Sequence, residues 1–131
     1  MEGLGQLEAA VMERLWEWDR PASVRDVLSD LERERVIAYT TVMTVLDNLH
    51  RKGMVAREKR GRAFVYRCVQ AKANYIAELM DRALSEAPDR DQALLHFVRR
   101  RPPEELRELR RLLEGMSTRG VVDDARRHSE R

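Results

Sequence analysis

One segment of the chain, residues 39–53, combines side chains that hydrogen-bond without carrying a full charge. At about 100° per residue of an α-helix, one face carries Thr40, Thr44, Asp47 and Arg51, and it is flanked by Met43 and Asn48. Hydroxyl and thioether groups suit contacts with base edges and thymine methyl groups, where a full set of charges would be desolvated at a cost. The face therefore predicts recognition of double-stranded nucleic acid, and the alternative is a helix that only covers a core.

The opposite side of the same segment is apolar and predicts a buried face. Its residues follow the i, i+3, i+4, i+7 spacing of an amphipathic helix, namely Val42, Val45, Leu46 and Leu49. Thr40 or Thr41 is expected to cap the start of this helix, and Gly53 is expected to end it.

A basic block follows this helix. Residues 51–67 hold seven Lys or Arg and one Glu, a net charge of +6, whereas residues 1–50 have a net charge of −5. Runs of strand-forming residues at 55–58 and 63–68 flank a turn in which Gly61 suits a positive φ. The pattern predicts a β-hairpin whose basic tip meets a phosphate backbone, and the alternative is a solvated tip whose charges only protect the sheet edge.

Two further helices precede this segment. Apolar spacing predicts them over residues 6–18 and 24–34, and Ser23 with Asp26 is typical of a capping box at the start of the second. Residues 36–38 are expected to form a small edge strand. Three helices followed by a two-stranded hairpin with a basic tip describe a winged helix-turn-helix.

The second half of the chain is helical in pattern. Helices are predicted over residues 71–86 and 89–100 and from Pro103 onward, with more apolar stripe than so small a unit can bury alone. Two copies that share one core would bury these stripes, so we expect a homodimer. The predicted dimerisation residues are Ile76, Met80, Leu94, Leu95, Phe97, Val98, Leu106, Leu109, Leu112 and Leu113.

The predicted fold is therefore mainly α with a small β-hairpin. A winged helix-turn-helix N-terminal domain over residues 1–70 precedes a three-helix dimerisation domain over residues 71–116. Residues 117–131 are polar and lack periodicity, and we expect them to form a disordered tail.

Catalytic and metal-binding signatures do not occur in the sequence. It has no glycine-rich phosphate loop and no nucleophile motif, and Cys68 is the sole cysteine, which excludes an intrachain disulfide or a multi-cysteine zinc site. We expect neither an enzyme nor a bound metal or cofactor. The lack of a long apolar run or of a secretory signal pattern predicts a cytoplasmic protein that does not insert into a membrane.

The helix and hairpin motifs also resemble those of a known family. The penicillinase repressors and the methicillin-resistance repressor share a signature that is similar to the run AYTTVMTVL at residues 38–46, followed by Leu49 and Lys52-Gly53. The run GRAFVY at residues 61–66 resembles the wing of the same family, and the similarity extends to about residue 116.

The resemblance implies a dimeric winged-helix repressor that binds dyad-symmetric operators through its N-terminal domain. It also implies release by proteolysis in the C-terminal domain, started by a membrane-bound sensor protease after a signal such as a β-lactam. The family's scissile bond corresponds to His96-Phe97, with His in place of the family's Asn. Copper-responsive relatives carry a Cys-x-Cys arrangement that this chain lacks, so copper sensing is not expected.

The predicted function is thus a homodimeric transcriptional repressor whose partner is double-stranded operator DNA. Two alternatives are a winged-helix module that binds protein and a repressor released by a small-molecule ligand with its chain intact. The helix residues are expected in the major groove, and the basic side chains at the phosphates or minor groove. The predicted DNA-binding residues are Tyr39, Thr40, Thr41, Met43, Thr44, Asn48, Arg51, Lys59, Arg60 and Arg62.

Overall fold

Apolar periodicity builds six helices and three strands over residues 4–116, the part of the chain that the computed structural model describes. In chain order they are α1 (Gln6–Trp18), β1 (Ala22–Ser23), α2 (Val24–Leu31), α3 (Tyr39–Arg51), β2 (Val55–Arg60), β3 (Ala63–Cys68), α4 (Lys72–Ser85), α5 (Arg90–Arg99) and α6 (Pro103–Gly115). The prediction of a mainly α fold with a winged helix-turn-helix is confirmed. The tail expected to be disordered, residues 117–131, lies outside the described residues.

The apolar stripes of α1, α2 and α3 meet in one core. α3 buries its predicted face, so that Val42, Leu46 and Leu49 are fully enclosed and Val45 is nearly so. The other members of the core come from α1, α2 and the sheet, namely Val11, Met12, Leu15, Ala22, Val24, Val27, Leu28, Leu31, Val55 and Tyr66. Enclosing a large aliphatic side chain contributes about 1.5–3 kcal/mol, so this packing holds the inner face of α3 and leaves its other face in solvent.

β2 and β3 form the predicted hairpin, and β1 adds a third strand beside β3. The antiparallel ladder ends at the pair Arg60 and Ala63, so the loop consists only of Gly61 and Arg62. Gly61 has φ +65°, whereas the φ of Arg62 is not positive, which is the pattern of a type II′ turn. This turn type matches the twist of the two strands and keeps them paired out to the basic tip.

The third strand of the sheet lies elsewhere than predicted. Residues 36–38 form no strand, and the side chain of Val36 projects fully into solvent. The edge strand is Ala22–Ser23, in which Ala22 pairs with Tyr66 of β3. Two residues are too few to show the alternation that marks a strand, which is why the sequence pattern missed this one.

Side chains cap the starts of α2 and α5 but not the start of α3. Ser23 and Asp26 form the predicted capping box, in which each side chain accepts a hydrogen bond from the other's backbone N–H at 3.0 Å. α3 begins after Ala38 without a side-chain cap, so the capping role predicted for Thr40 or Thr41 is wrong. Both hydroxyls are therefore left available on the first turn of α3.

The described residues divide into two compact units, 4–81 and 82–116. The first turns of α4 belong to the first unit because Tyr75 is buried there against Trp16, with ring centroids 5.4 Å apart. Trp16 also donates a hydrogen bond from Nε1 to the carbonyl oxygen of Gln70 at 3.1 Å. This aromatic contact joins α4 to α1 within the first unit.

The described part of the second unit, residues 82–116, encloses none of its side chains completely. In this single chain, α5 and α6 leave large apolar side chains in water, up to 69% exposed at Leu113. These exposed residues are Leu94, Leu95, Phe97, Val98, Leu112, Leu113 and Met116. The second unit thus has apolar faces but no core of its own within the described residues.

The carboxylate of Glu8 ties the start of α1 to the end of α3. Its Oε1 accepts hydrogen bonds from the Gly5 backbone N–H at 2.8 Å and from the Lys52 ammonium at 2.7 Å. Burial raises the pKa of Glu8, but the bond from Gly5 and the hydrogen bond and charge of Lys52 outweigh burial, so the pKa falls below its ordinary value of 4.5. Ionised Glu8 therefore stabilises the fold above the ordinary pKa, and this contribution is lost as the pH falls through the lowered value.

Glu8→Gln should lower the free energy of unfolding by about 1 kcal/mol near pH 7, because the variant has no ionised hydrogen-bond acceptor at this position. The difference from the wild type should shrink at a second, acid pH below the lowered pKa of Glu8, where the wild-type carboxyl group also binds a proton. Urea unfolding of both proteins at the two pH values measures this. Glu13→Gln is the control, since Glu13 pairs with Lys72 on an exposed surface and should contribute less than about 0.5 kcal/mol. A loss of equal size at both pH values would contradict the role of Glu8.

Candidate nucleic-acid interface

The outward face of α3 is accessible to a ligand. Tyr39 and Met43 are 41% and 44% exposed, and Thr40, Thr41 and Thr44 are exposed as well. Buried apolar residues support the same helix along its other side. Hydroxyl, phenol and thioether groups thus stand at the surface of a rigid element, which is what direct readout of base edges requires.

Asn48 and Arg51 lie at the C-terminal end of this face and are joined by a hydrogen bond. Arg51 donates a hydrogen bond from Nη2 to the side-chain oxygen of Asn48, and the same group lies 3.5 Å from the carboxylate of Asp47. Both predicted residues are therefore brought together, but Asp47 adds a negative charge that we did not predict as part of the site. Arginine side chains partly neutralise that charge.

The three predicted cations of the wing all lie at the exposed tip of the hairpin, but they do not share one face. Side chains alternate along β2, so Lys59 is on the same face as Arg57, and Arg60 is on the opposite face. Arg62 occupies the second position of the turn. A narrow ribbon with cations on both faces can approach two phosphate strands at once.

Arg25, which sequence reasoning missed, lies beside the start of α3. Its guanidinium carbon is 5.8 Å from the ring centroid of Tyr39. Arg25 is exposed in the first turn of α2, between the two residues of the capping box. No local pattern marks it as part of the site, because only the packing of α2 on α3 brings it next to Tyr39.

Arg57 is a second residue that the prediction left out of the site. Its Nη1 lies 3.3 Å from Oδ1 of Asp47 on α3, and its guanidinium carbon lies 4.3 Å from the ring centroid of Phe64 on β3. In the sequence it was only one charge of the basic block. The structure makes it a contact between the helix and the hairpin.

Two other kinds of feature, a metal site of clustered ligands and a membrane-spanning helix, do not occur in the described part of the chain. Among residues 4–116, no group of three or more His, Cys, Asp or Glu side chains is arranged to hold a metal ion. Over the same range no helix is both long and apolar enough to cross a bilayer. Cys68 is half-buried against the core, with Sγ 4.0 Å from the carbonyl oxygen of Leu15.

Sequence comparison assigns the chain to a group of regulators. The family model described as penicillinase repressor matches residues 4–115. The transcriptional regulator BlaI of Mycobacterium tuberculosis is 44% identical over 113 residues, which cover 84% of this chain and 82% of that protein. The relatives are named as transcriptional regulators, which confirms the prediction that the chain is not an enzyme.

Solved structures match this chain at lower sequence identity. The DNA-binding domain of the repressor BlaI is 26% identical, covers 56% of this chain and 88% of that chain, and has a TM-score of 0.48. A MarR-family protein from Bacillus stearothermophilus is 19% identical, covers 88% of this chain and 77% of that chain, and has a TM-score of 0.47. Both TM-scores lie below 0.5, so the assignment rests on the sequence matches. On those matches, which span most of its length, the chain belongs to the penicillinase repressor family.

Proposed function

We propose that the protein is a homodimeric transcriptional repressor that binds dyad-symmetric operator DNA. The observation that carries this proposal is the exposed Thr and Met face of α3, next to a hairpin tip with cations on both faces. Family membership supports it, since the relative in M. tuberculosis is named a transcriptional regulator and the solved BlaI domain is named as DNA-binding. A repressor of this kind acts on chromosomal DNA, so the proposal implies a cytoplasmic protein that does not insert into a membrane.

α3 reads the base sequence in this proposal. An α-helix fits the major groove, where the hydroxyls of Thr40 and Thr44 can donate to or accept from base edges and Met43 can contact thymine methyl groups. Tyr39, Thr41 and Asn48, the other predicted helix residues, complete the contact surface.

The wing supplies orientation and charge. Lys59, Arg60 and Arg62 contact phosphates, and Arg51 adds a further cation at the end of α3; such contacts release counterions and carry no sequence information of their own. The basic tip also argues against the alternative of a protein-binding module, which would more often present an apolar or acidic wing.

The helices α4 to α6 form the dimer contact in this proposal. Ile76 and Met80 on α4 are 42% and 58% exposed, and the apolar side chains of α5 and α6 are mostly exposed as well. A second copy related by a twofold axis would cover the same stripes on both chains. Each Å² of apolar surface removed from water in this way contributes about 25 cal/mol.

Release by proteolysis is the remaining part of the proposal. The bond between His96 and Phe97 lies in the last turn of α5, which ends at Arg99. The carbonyl oxygen of Phe97 accepts a hydrogen bond from Arg101 Nε at 3.3 Å, and the Arg101 guanidinium lies 4.6 Å from the Phe97 ring centroid. A protease needs an extended segment, so these contacts at the helix end must open first.

The cut would remove α6 from the rest of the chain. Operator affinity would then fall because the two winged domains are no longer held together, with no change in either domain. The family resemblance implies a membrane sensor protease system that starts this cut after a signal such as a β-lactam.

Arg62→Ala and Thr44→Ala should affect DNA binding in different ways. Arg62→Ala should weaken binding to all duplexes and reduce the slope of log affinity against log salt by about 0.9 for each phosphate that the side chain no longer neutralises. Thr44→Ala should reduce the preference for operator over random DNA by about 1–3 kcal/mol at most. Titrations of a footprinted duplex from upstream of the protein's own gene, and of a random duplex, measure both effects.

A charge control for this comparison is Arg20→Ala, since Arg20 precedes β1 at the end of the sheet away from the tip. It should leave the salt slope unchanged. If Arg62→Ala and Thr44→Ala shift both duplexes equally, the roles assigned to helix and wing are wrong.

Leu113→Arg should convert the dimer into monomers, because Leu113 is 69% exposed in the single chain and lies on the proposed contact stripe. Operator affinity should fall by about 100-fold or more because binding is no longer bivalent, while circular dichroism shows retained helix. Glu114→Gln makes the same change of charge at the next position and should remain dimeric. Sedimentation velocity at micromolar concentration decides; a monomeric wild type would remove the basis for the dimer.

Derepressed cells should contain an N-terminal fragment that ends at His96, because the His96-Phe97 bond lies where opening one helical turn exposes it. Mass spectrometry of the repressor before and after induction detects this fragment, with uninduced cells as the control. Only full-length protein in derepressed cells would refute cleavage and favour release by a ligand with the chain intact.

A further inference from the structure

Arg57 connects two elements that the proposed function uses for different tasks. Its Nη1 lies 3.3 Å from Oδ1 of Asp47 on α3, and its guanidinium carbon lies 4.3 Å from the Phe64 ring centroid on β3. The Arg57 side chain is only 29% exposed, so this contact is partly shielded from water. One side chain of β2 therefore touches both the helix that carries the Thr face and the other strand of the wing.

The wing depends on such a contact because its tip extends beyond the core. Val55 and Tyr66 are buried, whereas every residue from 58 to 63 is exposed. A two-stranded ribbon without further packing is marginally stable in water. The rings of Tyr66 and Phe64 meet edge to face at 6.4 Å, and Arg57 covers Phe64, so these three side chains extend the packed region from the core towards the tip.

We propose that Arg57 is a positioning residue that sets the angle of the wing relative to α3, an inference that rests on the proposed DNA-binding function. Asp47 anchors its guanidinium to the helix, and Phe64 provides the surface on which it stacks. With this brace formed, α3 and the tip are already spaced to meet base edges and phosphates together. Without it, the tip must be ordered during binding, which lowers affinity.

If Arg57 contacted a phosphate directly instead, removal of the Asp47 carboxylate would change DNA affinity in the opposite direction. In that case, removing the Asp47 carboxylate would free Arg57 and Arg51 and remove a repulsion from the DNA, so affinity would rise. If Arg57 positions the wing, removing Asp47 detaches its anchor. Affinity then falls although the change in charge favours DNA binding.

The test measures binding of three full-length variants to operator and random duplexes over a range of salt concentrations. Asp47→Ala removes the anchor, and Arg57→Lys keeps the charge but loses the planar group that stacks on Phe64. Glu58→Ala is the matched control, because it also removes one carboxylate near Arg57. Glu58 lies on the other face of β2 from Arg57, and no ion pair joins it to another residue in the described part of the chain.

Asp47→Ala and Arg57→Lys should each weaken operator binding about fivefold to tenfold, given the usual strength of a cation–π contact and a partly shielded ion pair. Glu58→Ala should leave operator binding unchanged or strengthen it. The double variant should be no weaker than the weaker single variant, because both changes remove the same brace. The salt slope of Arg57→Lys should match the wild type.

A second measurement follows the wing directly. Backbone order parameters from ¹⁵N relaxation should fall below about 0.6 at residues 59–62 in Asp47→Ala and Arg57→Lys, and stay at the wild-type value in Glu58→Ala. Values in α1 should not change in any variant, which separates a loosened wing from a general loss of fold.

Stronger operator binding by Asp47→Ala, or wild-type binding by Arg57→Lys, would overturn the positioning role and leave Arg57 as one charge among several. If the wild type itself does not prefer the operator to random DNA, the proposed function fails. In that case, order parameters that do not change at the wing tip would still refute the brace independently.

Discussion

Burial of one face of α3 is the constraint on which the rest of the structure depends. Val42, Leu46 and Leu49 are enclosed by side chains from α1, α2 and the sheet, and the helical period then decides which residues face outward. The exposed Thr and Met side chains are thus placed by packing on the far side of the helix rather than by contacts of their own. A close-packed core beneath the helix allows a few polar groups to keep the spacing that base edges demand.

The described charged residues also divide into those that join helices and those that remain unpaired at the surface. Arg14 is 12% exposed and joins α1 to α2 through an ion pair with Asp30 at 2.7 Å, and to the segment after α2 through an ion pair with Glu34 at 3.0 Å. Acidic residues of the first half are therefore partly used to hold helices together, whereas no ion pair engages Lys59 or Arg60 within residues 4–116. The net charge of +2 conceals this separation. Attraction for a polyanion depends on the local potential of the wing, not on the net charge.

The two compact units differ in how completely they bury their apolar side chains. The first encloses its core within one chain, and Tyr75 on Trp16 extends that core to the start of α4. In the second, residues 82–116 have amphipathic helices but enclose none of their side chains completely. A unit this small has too much surface for its volume, so its apolar stripes are suited to contact with another chain. In the proposed dimer, the stability of the second unit would therefore depend on assembly.

The sequence by itself determined the features that depend on neighbouring residues. The apolar period of α3, the capping box at Ser23 and the turn at Gly61 are local signals, and each is found where it was predicted. The tertiary structure alone decided which residues from separate elements meet. Arg57 and Asp47 are ten residues apart, and neither charge identifies the other as its partner until β2 packs beside α3. Arg25 reaches Tyr39 for the same reason, because contacts between elements depend on packing geometry, which no local pattern of residue types contains.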